Sequence, residues 1–524
     1  MTVVLSFVYP TASLRAQPCL DDEQNPGVCG QWAGPFQLDT PGSTNEIPHI
    51  ALIPTGPDAG KLILWRETQG THGKTWIWDP NQPTLPPIQK DSGAIIFCSG
   101  QAFRPDGSLM TAGGFLSPPT CGIPDALEYD PLSQSWALLP DMLHDRYYPT
   151  CTALPDGRTL VSGGDVCVDP SGDNTLEVYD PTGTPSWTLI NGPQPPTFPS
   201  TIGLYDRVHV LSDGTLFFSV NNTKYHYRLN VGTSAWTSLP DSPVFRGYGC
   251  SVLVPGFPDH VMILGGLNTF SLPSPPASPP DSEDSALWID ALSATPSWVP
   301  RASMTHKRHY PSAVVLPDGT ALVLHGANKA YELTPYPHEP AQPGIYNWEA
   351  VRQPEVYDPI QDTWTPLASQ ISGRVYHSAA ILLPDGRVVS TRGDSFPFWP
   401  TDFDNDIEIF SPPYLFKGLR PSIVSVQPAG PISYGQWFNV LGRVPAGIIQ
   451  KAVLIRPGSV THHFDMDQRY VPLTIDVPSS VLTGSFNLLV QAPTSANIAP
   501  PGYYMLFVLN DNGVPAIAKF LQLL

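Results

Sequence analysis

An Asp-Gly dipeptide flanked by short apolar runs recurs along this chain, and that repeat limits what the chain can fold into. The clearest copies are FRPDGSLMTAGG (103–114), LPDGRTLVSGG (154–164), LPDGTALVLHG (316–326) and LPDGRVVSTRG (383–393). Weaker copies are LSDGTLFFSV (211–220), VPGFPDHVMILGG (254–266) and IPTGPDAGKLILW (53–65). Asp-Gly between alternating apolar runs is a hairpin signal, because both turn residues tolerate positive φ. Tyr129-Asp130-Pro131, Tyr179-Asp180-Pro181 and Tyr357-Asp358-Pro359 follow three copies, each trailed by a tryptophan (Trp136, Trp187, Trp364). Trp78-Asp79-Pro80 is a looser version, and Trp236 and Trp298 continue the series. Each unit therefore reads as four short strands with the hairpin between the inner two. One such sheet cannot bury both faces, and radial stacking solves that. Spacings of about 45–67 residues and the Gly-Gly ending suit a kelch-type repeat. Seven copies predict a seven-bladed kelch-type β-propeller over residues 46–416.

The period stops after Pro412-Pro413-Tyr414. Residues 417–524 carry short apolar runs separated by Pro, Gly or Asn, a pattern that predicts an immunoglobulin-like β-sandwich. Composition agrees with an all-β chain: 63 Pro and 43 Gly make up about a fifth of its 524 residues, which excludes long helical bundles. With 41% hydrophobic residues the chain has the material for a core, and disorder is excluded. The net charge of −19 argues against nucleic acid and anionic membrane as partners. No apolar run reaches the length of a membrane-spanning helix.

Residues 1–16 read as a secretory signal, an apolar run ending in Arg15-Ala16-Gln17 with a cut after Ala16. No Lys or Arg precedes that run and Pro10 interrupts it, so a mis-assigned start stands beside this reading. Residues 17–45 read as an irregular segment. The chain has seven cysteines (Cys19, Cys29, Cys98, Cys121, Cys151, Cys167 and Cys250), and an odd count in a secreted protein flags one with another task. Cys19–Cys29 is the expected disulfide; the other pairings stay open.

Counting from the Asp of each turn brings unusual residues to one register. Cys98 lies eight before Asp106, Tyr148 eight before Asp156 and His377 eight before Asp385, with Tyr376 beside it. Equal register on stacked sheets means equal height about the axis, so a thiol, two phenols and an imidazole gather at one mouth of the channel. Singly, each has an ordinary reading: Cys98 as a small core hydrophobe, the tyrosines as strand aromatics, His377 as a satisfied core imidazole, His462-His463 as a solvated pair. Tyr310 shares the register, eight before Asp318, but its repeat is not next to that of Cys98.

The strings FCSG (97–100), RYYP (146–149), RVYHSAAILLPDGRV (374–388), THHFDMDQRYVPL (461–473) and APPGYYMLFVLNDNGVP (499–515) resemble the copper-radical oxidases, galactose oxidase and glyoxal oxidase among them. The resemblance covers roughly residues 45–524, without the N-terminal carbohydrate-binding domain of galactose oxidase, so the layout is closer to glyoxal oxidase. It implies one copper ion held by Tyr148, Tyr376, His377 and His462, with His463 facing away. It also implies a Cys98–Tyr148 thioether carrying a tyrosyl radical and Tyr376 as general base, and it leaves six other cysteines. Two imidazoles and a phenolate suit copper(II), and the radical supplies the second electron that alcohol or aldehyde oxidation needs. Arg246 and Tyr310 are expected at the substrate mouth. One departure stands out. Galactose oxidase has a tryptophan soon after the Gly-Gly of the radical repeat, whereas Gly163-Gly164 is followed here by Asp165-Val166-Cys167.

Two functions follow. The first is a secreted oxidase that turns small aldehydes or primary alcohols and O2 into the acid or aldehyde and hydrogen peroxide, with a peroxide-using enzyme as a conceivable partner. The second is a non-catalytic kelch propeller that binds glycan or protein and keeps a vestigial metal site.

Overall fold

In the computed structural model the described residues are 19, 25–38, 46–66, 73–116, 121–164, 175–195, 204–220, 223–268, 282–328, 350–393, 406–476 and 484–524. The expected signal at 1–16 lies outside them, as does Asp165-Val166-Cys167. The chain is all-β. Among the described residues, seven sheets follow one pattern of four antiparallel strands. Their innermost strands are His49–Leu52, Gly100–Phe103, Thr150–Ala153, Arg207–Val210, Cys250–Leu253, Ser312–Val315 and Ala379–Leu382. Each touches the next except at one place, where the strand Ser459–Thr461 stands between His49–Leu52 and Gly100–Phe103; Ala379–Leu382 returns to His49–Leu52, so the ring closes with that inserted strand as part of it. These strands are almost wholly buried, whereas outer ones such as Ser135–Leu138 face water. No helix among the described residues is long and apolar enough to cross a membrane.

The turns between inner strands work differently from the expectation. Only glycine takes positive φ, 84–95° at Gly107, Gly157, Gly214, Gly319 and Gly386. The aspartate before it closes the turn from its side chain. Asp106 accepts from Ser108 N–H, Asp213 from Thr215 N–H and Asp385 from Arg387 N–H, at 2.8–3.0 Å. This is the local capping that makes Asp a turn residue. The trailing tryptophans fasten neighbouring sheets. The indole N–H of Trp187 donates to Pro140 C=O, that of Trp298 to Pro240 C=O and that of Trp364 to Ala302 C=O, at 2.7–2.8 Å.

The segment 17–45, expected to be irregular, does contribute a strand. Gln31–Gln37 pairs with Asp406–Ser411 and forms the outer strand of the sheet whose other strands come from residues 379–411. Ring closure thus joins the two ends of the repeat region, which reading the repeats one by one does not reveal. The Cys19–Cys29 disulfide is present. Cys151 and Cys250 are buried thiols, so the even number of remaining cysteines does not mean three disulfides.

Residues 422–523 form two further four-stranded sheets around one apolar core that includes Phe438, Val440, Leu488, Val490, Leu506 and Val508. From this unit a hairpin, Ser459–Thr461 with Phe464–Asp465, enters the ring and adds to the edge of His49–Leu52. The residues after it fasten it to separate inner strands. Met466 Sδ accepts from Val208 N–H, Asp467 from Phe103 N–H and Gln468 Oε1 from Val315 N–H, while Gln468 Nε2 donates to Ala313 C=O. Gln468→Leu strands a buried donor and a buried acceptor, so thermal or denaturant unfolding should show a loss of about 1–3 kcal/mol.

Candidate functional site

Six of the inner strands are preceded, two residues upstream, by a non-glycine residue with left-handed backbone: Cys98, Tyr148, Tyr205, Tyr248, Tyr310 and His377, with φ between 52° and 62°. That conformation costs an L-residue about 1–2 kcal/mol, and its recurrence marks a shared geometric need. Main-chain bonds hold the series. Tyr148 N–H donates to Cys98 C=O, Tyr205 N–H to Tyr148 C=O and Tyr310 N–H to Tyr248 C=O, at 2.8–3.0 Å. Three buried arginines brace the approach segments. Arg146 pairs with Glu177, Arg308 with Glu355 and Arg374 with Glu408, at 2.8–2.9 Å. Each glutamate also accepts two backbone N–H groups, as Glu177 does from Leu143 and His144.

The hairpin tip supplies the opposite wall. Its two-residue turn is His462-His463, both with positive φ (48° and 78°) where such turns usually carry Asn-Gly. Both imidazoles are buried against residues that head inner strands, His462 on His377 and His463 on Tyr310. There His462 Nε2 stands 3.6 Å from Cys98 Sγ, across 364 residues of chain. The ligand atoms of Cys98, His377 and His462 all lie within 4.8 Å of one another, a group able to hold a metal ion. Tyr376 Oη donates to Tyr148 Oη at 2.8 Å. The His462 ring lies 4.9 Å from that of Tyr148 and 4.7 Å from that of His377.

Burial holds the Tyr148 and Tyr376 phenols well above their ordinary range, reinforced at both by the nearby Cys98 thiol. Burial pushes His462 well below, helped by His377, so its imidazole is neutral. His462 Nδ1 bonds Thr461 Oγ1 at 2.7 Å, which leaves Nε2 as the lone pair facing the cluster. A neutral imidazole donor and two phenols in one water-poor pocket suit a divalent cation, whose charge would reverse the cost of ionising a phenol.

Comparison with known proteins matches residues 76–414 to the glyoxal oxidase N-terminus family and residues 420–523 to the galactose oxidase-like early set domain. The chain belongs to the glyoxal oxidase and galactose oxidase family. It is 29% identical over 517 residues to aldehyde oxidase GLOX of Vitis pseudoreticulata, covering 92% of this chain and 91% of that one. It is 28% identical over 533 residues to galactose oxidase of Gibberella zeae, covering 95% of this chain and 71% of that one. Among solved structures, a fungal alcohol oxidase in complex with copper aligns with a TM-score of 0.75 at 23% identity, covering 94% of this chain and 99% of the other.

Within this family frame, Cys98, Tyr148, Tyr376, His377 and His462 meet at one point. Tyr310 stands at their edge, 5.0 Å from the Tyr376 ring and 5.4 Å from His463. Arg246, expected at the substrate mouth, directs its hydrogen bonds to its own sheet rather than to this cluster. Like Arg146 and Arg308 it lies two residues before a left-handed tyrosine. Its guanidinium turns inward, donating to Gly265 C=O, Ser285 C=O and Ser285 Oγ at 2.8–2.9 Å. The second imidazole, His463, contacts Ser378 Oγ at 3.3 Å. An aromatic neighbour for Tyr148 comes from the residue before it: the Tyr147 ring lies 4.1 Å away and is backed by Phe115 at 5.1 Å.

Two members went unseen in the sequence. Tyr205 packs edge-on to Tyr148 at 4.9 Å and bonds Thr461. It lies eight before Asp213, so the register count contains it. Tyr248 precedes a longer turn and escapes the count.

The loop that delivers His462 carries two buried carboxylates. Burial raises Asp465 to about 7 and Asp467 to about 6. A carboxyl raised above its unfolded value binds its proton more tightly in the folded chain. Its stabilising contribution is therefore complete below about pH 4 and is lost as pH rises through 6–7. Unfolding midpoints should fall between pH 5 and 8, and Asp465→Asn should flatten that slope.

Proposed function

We propose that this protein is an extracellular copper-radical oxidase, a seven-bladed kelch-type propeller followed by an immunoglobulin-like sandwich. The observation that carries the reading is the convergence of Cys98, Tyr148, Tyr376, His377 and His462 from four separate chain segments, all but Tyr376 with left-handed backbone. A binding-only scaffold has no use for a thiol, two phenols and two imidazoles gathered at one buried point. The relatives named galactose oxidase and aldehyde oxidase support the reaction class. The Cys19–Cys29 disulfide supports an oxidising compartment.

In this reading Tyr148, Tyr376, His377 and His462 hold one copper ion, and the Cys98 sulfur is bonded to the Tyr148 ring. Forming that thioether breaks one S–H and one ring C–H bond and makes one C–S bond; O2 takes the two electrons and two protons as hydrogen peroxide. Bound copper supplies a one-electron acceptor and a Lewis acid. The chain supplies the rest. Tyr376, as phenolate, takes the hydroxyl proton of a primary alcohol or aldehyde hydrate. The sulfur-substituted Tyr148 ring, as radical, takes a hydrogen atom from the adjacent carbon. The substrate leaves as aldehyde or acid, and O2 accepts the two electrons and two protons and departs as hydrogen peroxide. Tyr147 over Tyr148 shields the radical from water, and Tyr310 borders the substrate. The aldehyde-type relative aligned along nine-tenths of both chains favours small aldehydes over galactose.

Intact mass of the reduced, copper-treated protein should fall short of the sequence value by two hydrogens, and Tyr148→Phe should abolish the deficit. Tyr376→Phe should keep the deficit and lower kcat/KM by about 10²–10⁴-fold, the range of a lost general base. Peroxide release should be followed on glyoxal-type aldehydes, galactose and primary alcohols. Failure of the copper-loaded protein on all three classes would sink the oxidase reading.

A further inference from the structure

Cys98 is wholly buried and holds a left-handed backbone, a conformation that penalises any residue with a β-carbon. At Tyr148, Tyr205 and Tyr310 the amide of such a residue is met by the carbonyl of the residue in the same position one sheet earlier. Cys98 stands at the head of that series. The sheet before it is the one widened by the inserted hairpin. There Ser459–Thr461 pairs with His49–Leu52 and packs against Gly100–Phe103. The amide of Cys98 donates instead to a side chain, Nε2 of His49, at 3.0 Å. An imidazole fills the place of the carbonyl.

Donors and acceptors around His49 close without conflict. Because Nε2 accepts, it carries no proton, and burial keeps the ring neutral by pushing its pKa to about 3. Nδ1–H is then the donor, with Gln101 Oε1 and Thr461 Oγ1 each at 3.0 Å. Gln101 is itself fixed by Nε2 donating to Ile50 C=O and Val460 C=O, each at 3.1 Å. Thr461 Oγ1 also accepts Nδ1–H of His462 and passes its own proton to Tyr205 Oη. Tyr205 Oη donates to Ser99 C=O at 3.3 Å, one residue from Cys98. The His49 ring stacks on Trp65 at 4.8 Å with an interplanar angle of 10°. One residue therefore touches both the backbone of Cys98 and the threonine that sets which nitrogen of His462 faces the cluster.

We propose that His49 is the positioning residue of this centre: it holds Cys98 in the left-handed conformation that presents its sulfur to Tyr148, and through Thr461 it fixes the His462 tautomer. The proposal rests on the Cys98–Tyr148 thioether reading above. His49 touches none of the reacting atoms. Its part is to make the thiol arrive at the ring in one geometry.

Three variants separate this role from plain packing. His49→Phe keeps an aromatic ring on Trp65 and removes the acceptor. His49→Gln offers an amide oxygen near the position of Nε2. His49→Asn reaches only the Nδ1 side. Two measurements are made on full-length protein prepared without metal. One is hydrogen exchange at the Cys98 amide before any metal is added; the other is the rate of two-hydrogen mass loss after copper(II) and O2 are supplied. We expect Cys98 exchange to be about tenfold faster and cross-linking about tenfold slower in the Phe and Asn variants, the factor carried by one lost buried hydrogen bond. The Gln variant should restore both to within about threefold of the parent chain. Equal exchange and equal rates in all variants would overturn the proposal. A loss shared equally by all three and tracking their unfolding midpoints would do the same, since it would mean packing alone. If the parent chain never loses the two hydrogens while Cys98 exchange still separates Gln from Phe and Asn, the thioether reading fails and the hold of His49 on Cys98 stands.

Discussion

The centre of this protein depends on one insertion: the hairpin Ser459–Thr461/Phe464–Asp465 pairing with the inner strand His49–Leu52. Inner strands that touch in a ring leave an axis lined with backbone ends and polar side chains, and buried groups of that kind must find partners. The hairpin supplies them. Through Met466, Asp467 and Gln468 it meets amides of three separate inner strands. The element that seals the axis also carries His462, so a structural need and a chemical one are met by the same nine residues, Thr461 to Arg469.

Strain is concentrated at the same place. Left-handed residues head six inner strands, and the hairpin tip adds His462 and His463. Such positions persist only where their surroundings over-determine them. Here the surroundings are the main-chain relay from sheet to sheet, the buried Arg–Glu pairs behind it and the imidazole of His49 where the relay is interrupted. The result is a set of side chains with little freedom to rearrange around a bound ion, which is what preorganised chemistry requires.

Much of this was legible in the residues. The Asp-Gly turns, the Gly-Gly endings and the trailing tryptophans report the four-stranded sheets, and counting from the turn aspartate puts Cys98, Tyr148, Tyr310 and His377 at one level. The same count contains Tyr205. It fails at Tyr248, where a longer turn shifts the register. It also says nothing about direction: Arg246 shares its place with Arg146 and Arg308, and its guanidinium points into its own sheet because carbonyls of Gly265 and Ser285 are there to receive it.

By itself the sequence determined the local elements and the common height of the residues that head them, because turns and alternation act over a few residues and repeat with the chain. Tertiary structure alone decided what meets at the axis. His462 comes to within 3.6 Å of Cys98 across 364 residues, Gln31–Gln37 closes a sheet with Asp406–Ser411, and His49 reaches a thiol-bearing backbone one sheet away. Those contacts depend on closure of the ring and on where a separate unit inserts its hairpin. Neither leaves a spacing that can be counted along the chain.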